Sequence, residues 1–171
     1  MLIRPEILEK AGGFESIRGE IIDDCRLAGR VKEVGGRLSL GLSRETRSIR
    51  GYTTLANVRD MISRTAFNQL RHSWLLLVAC IVGMALTFVA PLALVWAKDR
   101  TAAWTATAAC FAMFLSYVPL LRFYGVNLLS AVTLPFAAVF YMYATVHSAV
   151  NYWRGKGGEW KGRAQDIPSS S

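Results

Sequence analysis

WLLLVACIVGMALTFVAPLALVWA, Trp74–Ala97, carries no charge over its whole length. A helix rises about 1.5 Å per residue, so ~20 apolar residues cross the hydrocarbon core of a bilayer. Two further uncharged stretches follow: TAAWTATAACFAMFLSYVPLL at Thr101–Leu121 and VNLLSAVTLPFAAVFYMYATVHSAV at Val126–Val150. The middle one is richest in Ala and Thr and is the weakest candidate. Aromatic residues sit near the ends of the stretches: Trp74, Trp96, Trp104, Tyr124, Tyr152 and Trp153. Amphipathic rings favour that headgroup depth. Three helices buried in a soluble core would each keep a polar face, and these do not. The expected class is therefore an α-helical membrane protein with three transmembrane helices at 74–97, 101–121 and 126–150, and the lipid bilayer is its first partner.

Working outward, the charge distribution is lopsided. Residues 1–73 hold 13 Lys/Arg and 9 Asp/Glu, whereas 74–150 hold Lys98, Asp99, Arg100 and Arg122 alone. The tail, 151–171, is basic and polar, with Arg154, Lys156, Lys161 and Arg163. The net charge of +8 is spread over the polar parts and forms no single basic run. That suits anionic headgroups and argues against a nucleic-acid partner. Cys25, Cys80 and Cys110 are widely spaced and give neither a metal motif nor a disulfide framework. Met1–Ile3 runs at once into Arg4 and Pro5, which excludes a signal peptide at this position.

The polar first part predicts a short helix over Pro5–Ala11, a second over Asp23–Val34 with Leu27, Val31 and Val34 on one face, and a half-buried strand over Arg37–Leu42. Thr54–Arg71 predicts a third helix with an apolar stripe of Leu55, Val58, Ile62, Ala66 and Leu70. Just before a span, such a helix is expected to lie on the membrane surface, as an interfacial element over 54–73. One strand and a few helices in ~70 residues cannot bury a substantial core alone.

Gly12–Leu40, GGFESIRGEIIDDCRLAGRVKEVGGRLSL, resembles the acceptor-side half of family 2 glycosyltransferases of the GT-A fold. There a Gly-Gly-Phe turn precedes an acidic pair that opens a helix. RSIRGYTTLANVRDMISRTAFNQLR (Arg47–Arg71), LLRFYGVNLLSAVTLPFAA (Leu120–Ala138) and NYWRGKGGEWKGR (Asn151–Arg163) are similar to the hopene-associated glycosyltransferases of hopanoid-producing bacteria. The resemblance implies that residues 1–53 are the C-terminal part of a GT-A α/β domain. It also implies that the chain is the C-terminal portion of a multi-pass enzyme of the inner (plasma) membrane with its soluble segment in the cytoplasm. The implied activity is transfer of a sugar from a nucleotide-sugar donor to a lipid acceptor, in a hopanoid-related role.

Carried onto this sequence, the acidic pair is Asp23 and Asp24, and Asp24 is the implied general base. The chemistry suits the position. An inverting transfer needs a carboxylate to take the proton of the attacking hydroxyl, and a helix N-terminus keeps a carboxylate ionised. The same two acids would also serve as plain N-terminal acids of any helix. The family's Gln-x-x-Arg-Trp segment, which contacts the donor diphosphate, is altered here. Met61-Ile62-Ser63-Arg64-Thr65 keeps its Arg, and Gln69-Leu70-Arg71 with Trp74 offers a shuffled version. Arg64, Gln69 and Arg71 are thus the implied substrate-binding residues, since guanidinium groups pair with phosphate oxygens. Arg64 and Arg71 would equally serve as headgroup-facing cations. The family's Asp-x-Asp motif, which holds a divalent metal (Mg²⁺ or Mn²⁺), does not occur in these 171 residues. No metal ligand is therefore expected in this chain, and the chain alone is expected to be inactive.

Other motifs fail on spacing. Gly41–Glu45 lacks the second glycine of a nucleophile elbow, and Gly155–Gly158 is no phosphate loop. His72 and His147 stand apart from any ligand pair, and a neutral interfacial role is expected for His147. The competing reading from another class is a small non-catalytic membrane assembly or scaffold protein. Three complete spans would put the basic tail opposite the soluble segment, against the positive-inside bias. A surface-lying middle segment would return it to the same side.

Overall fold

A computed structural model describes residues 2–18, 22–46 and 51–157. The Trp160–Arg163 end of the tail motif and residues 47–50 lie outside the described residues. The architecture is helical: α1 (Pro5–Lys10), a 3-10 turn (Phe14–Ile17), α2 (Asp23–Glu33) and α3 (Leu55–Gln69) precede the apolar helices. These are α4 (Trp74–Met84), a π turn (Ala85–Val89), α5 (Ala90–Leu94), α6 (Arg100–Tyr124), a 3-10 turn (Leu128–Thr133) and α7 (Leu134–Trp153).

Three of these runs are long and apolar enough to cross a membrane: Trp74–Leu94, Arg100–Tyr124 and Leu128–Trp153. Their large side chains face outward. Leu75, Val78, Val82, Leu86, Phe111, Leu115, Phe136 and Val139 are all exposed, a surface suited to lipid. The first run is not one regular helix. Pro91 has no N–H and would crowd the carbonyl of Thr87, and the π turn just before it absorbs the misfit, with the Ala90 amide donating to the Ala85 carbonyl. Serine and aspartate open the apolar helices. Ser73 Oγ accepts from the Leu76 amide at 3.4 Å, and Asp99 accepts from those of Thr101 and Ala102. Gly125, at φ +67°, closes α6 in the left-handed region where glycine carries no Cβ penalty.

The expected strand at Arg37–Leu42 does not form, and no strand occurs among the described residues, so a GT-A α/β segment is not observed. The alternation is there, but Leu38, Leu40 and Leu42 are all exposed. A strand needs a neighbour to take up its backbone groups, and among the described residues no strand lies beside this one. What exists in its place is a small helical cluster. α1 and the 3-10 turn lie against α2, which buries Leu27 and Val31, with Ala11 also buried. Val34 falls outside the core at the end of α2.

The third helix is present, but its buried face is shifted. Thr54 caps it, accepting from the Asn57 amide at 3.2 Å, yet Leu55 is 73% exposed. Ser63 and Phe67 are buried instead. The cause is α7: Ala144, Ser148 and Ala149 are buried small residues that let α3 approach closely. Contacts step along the two helices in the same direction, Arg59 to Tyr143, Ser63 to Ala144, Phe67 to Ser148 and Tyr152, so α3 and α7 run parallel.

Leu77 joins Phe67 and Ala149 in the central cluster, so the first turns of α4 and the last turns of α7 lie at one end of the bundle. The π turn also packs on α7, which makes α4 and α7 antiparallel. Arg71 and Arg154 therefore flank the same end.

Candidate functional site

Asp23 and Asp24 occupy the first turn of α2, as the acidic pair requires. Each turns its carboxylate onto backbone. Asp23 Oδ1 accepts from the Asp24 amide at 2.9 Å, and Asp24 Oδ1 accepts from the Cys25 amide at 2.7 Å. The free amides of a first turn and the helix dipole both favour this negative charge. Cys25 feels it in return. Partial desolvation, and after it the Asp24 charge and a hydrogen bond to Asp24, raise the thiol above its usual pKa. Cys25 therefore stays a thiol at neutral pH. Both carboxylates are exposed, open to an approaching hydroxyl.

The substrate-binding candidates sit on α3 and its exit. Arg64 is half-buried in mid-helix, Gln69 is the exposed last residue, and Arg71 is exposed beyond it. The Asp23–Asp24 turn opens α2, whereas these three lie on α3 and at its exit.

Arg71 and His72 form a sharp reversal, with φ of +52° and +55°. Non-glycine residues occupy that region at a cost and need local support. The His72 amide donates to the Phe67 carbonyl at 3.1 Å, the Arg71 amide to that of Asn68 at 2.9 Å. The His72 ring stacks on Tyr152, with centroids 4.2 Å apart and planes at 16°. Phe67 meets His72, Tyr152 and Trp153 edge-on at 5.4–5.6 Å. His72, read from sequence as isolated, is part of this aromatic clasp.

A polar seam runs beside the clasp. Ser63 Oγ donates to the Ala144 carbonyl at 3.1 Å and lies 3.2 Å from His147 Nδ1. Asn151 Nδ2 reaches the same nitrogen at 3.2 Å. Ser148 Oγ donates to the Ser63 carbonyl and accepts from the Phe67 amide at 3.1 Å. Sequence reading missed this seam because its α3 and α7 partners are more than 80 residues apart, and each serine alone looks like an ordinary small residue of its helix.

Among the described residues no group of three or more His, Cys, Asp or Glu comes together as a metal site. The divalent metal that the sequence resemblance implied thus has no fit among them.

No curated protein and no solved structure matches the chain. The model of glycosyl transferase family 21 matches residues 1–167. The glycosyltransferase expectation thus holds at the level of a transferase family, but the family is 21, and neither family 2 nor the hopene-associated group is what the match identifies. One family accounts for nearly the entire sequence, from the helical cluster through all three apolar runs, and the chain belongs to glycosyl transferase family 21.

Proposed function

We propose that this glycosyltransferase chain supplies the acceptor side and the membrane anchor of sugar transfer from a nucleotide sugar to a lipid. The family match over residues 1–167 carries this reading. Three apolar runs in the same chain as the acidic turn support a lipid as acceptor, since their length and composition suit a bilayer. A hopanoid-related lipid and a cytoplasmic-face site of the inner membrane follow from the sequence resemblance, and a GT-A arrangement of family 2 type is part of the same proposal.

In the proposed reaction the acceptor oxygen attacks the anomeric carbon as the bond from that carbon to the donor diphosphate breaks. Asp24 takes the acceptor proton, and the nucleoside diphosphate leaves with the bonding electron pair. Arg64, Gln69 and Arg71 contact the diphosphate. The donor nucleotide and any divalent metal are held by residues outside these 171, because no Asp-x-Asp occurs here. A single base acting on the attacking oxygen requires back-side displacement. The transferred sugar is therefore expected to show, by NMR of the product, the anomeric configuration opposite to that of the donor. Retained configuration would mean a covalent intermediate and a nucleophile in place of a base.

A further inference from the structure

Ser148 sits on α7, in the third apolar run, yet both of its hydrogen bonds go to the backbone of α3. Its hydroxyl donates to the Ser63 carbonyl and accepts from the Phe67 amide. Those groups are the i and i+4 ends of one helical turn, so the bridge ties that turn of α3 to Ser148. Ser148 is 4% exposed and Ser63 7%, which excludes water as a substitute partner. Arg64 directly follows Ser63 in sequence. Successive helical residues point about 100° apart, so fixing the Ser63 backbone fixes the direction in which Arg64 leaves the helix.

We propose that Ser148 is a positioning residue for donor binding, given the sugar-transfer reading. Its hydroxyl locks the register and rotation of α3 against a membrane-embedded helix and thereby places Arg64 on the donor diphosphate. The seam serines also exclude a looser fit. Ala144 and Ala149 are fully buried, so α3 and α7 approach closely along this seam. A guanidinium held in one direction meets a diphosphate in bidentate fashion without first paying to order itself.

The test uses the complete gene product in membranes and whichever radiolabelled nucleotide sugar the parent turns over. Ser148→Ala is expected to raise KM for the nucleotide sugar by about 10-fold or more, with kcat and the acceptor KM within twofold. The nucleoside diphosphate of that donor, as an inhibitor, should weaken by the same factor. Ser148→Thr, which keeps the hydroxyl, should restore most of the donor affinity. Thr145→Ala is the matched control: Thr145 is equally buried on α7 but bonds to its own helix at the Tyr141 carbonyl. An unchanged donor KM in Ser148→Ala, or an equal rise in Thr145→Ala, overturns the positioning role. Absence of transfer by the parent with every nucleotide sugar tried would instead strike the sugar-transfer reading, and the two failures are told apart by whether the parent turns over.

Discussion

Replacing Asp24 by Asn in the complete gene product lowers sugar transfer by a factor of about 10²–10⁴, the usual worth of a positioned base. The amide keeps the size and the hydrogen bond from the Cys25 amide, which lies 2.7 Å from Oδ1, so the first turn of α2 is not rebuilt. What it loses is the ability to take a proton. Asp23→Asn serves as the internal comparison. Its carboxylate accepts from the Asp24 amide at 2.9 Å and plays the same part in the helix start without being the base. A loss in Asp24→Asn that is no larger than in Asp23→Asn would reduce both acids to helix-opening residues. Rate measurements on washed membranes at saturating donor and acceptor decide the matter.

The largest effect on stability is expected at Phe67. It is 1% exposed, the largest fully buried side chain among the described residues, and it touches His72, Tyr152 and Trp153 while packing with Leu77 and Ala149. Phe67→Ala empties the place where α3, α4 and α7 meet. Such truncations cost about 3–5 kcal/mol, partly for lost burial and partly for the cavity left behind. In a chain of this size that corresponds to a fall in Tm of roughly 10 °C, read by thermal unfolding in detergent. Leu55→Ala, on the same helix but exposed, should change Tm little. Equal shifts for the two would mean that α3 is not clamped at Phe67.

The three apolar runs were legible because hydropathy over ~20 residues is a local property. The acidic pair at the head of α2 was legible for a similar reason: acids favour a first turn, and Gly35 and Gly36 mark where the helix stops. The strand at Arg37–Leu42 was misread because period-2 alternation records only which side chains share a face. Whether a strand exists depends on a partner for its backbone, and Leu38, Leu40 and Leu42 are left exposed without one. The face of α3 was misread for a related reason. Leu55, Val58 and Ile62 form the more apolar stripe, but Ala144, Ser148 and Ala149 of α7 offer close approach to the face carrying Ser63 and Phe67. Side-chain volume on a helix 80 residues away decides this, and no window along the sequence contains it. The clasp of His72 on Tyr152 was hidden in the same way, as a contact between a histidine read as isolated and a tyrosine read as sitting at a span end.

The family assignment shows where the sequence resemblance was strongest and where it was too narrow. The acidic pair and the spans following it pointed to glycosyl transfer, and membership of family 21 agrees. Assignment to family 2 leaned on a Gly-Gly-Phe turn and two aspartates, a pattern too short to separate one glycosyltransferase family from another.

The measurement that tests sugar transfer to a lipid most directly is the fate of a labelled sugar. Membranes carrying the complete gene product are incubated with a radiolabelled nucleotide sugar and Mg²⁺ or Mn²⁺, then extracted with chloroform and methanol. The account predicts label in the lipid extract, dependent on the protein and reduced about 10²–10⁴-fold by Asp24→Asn. Label confined to water-soluble glycan or to protein, with none in lipid, would contradict it.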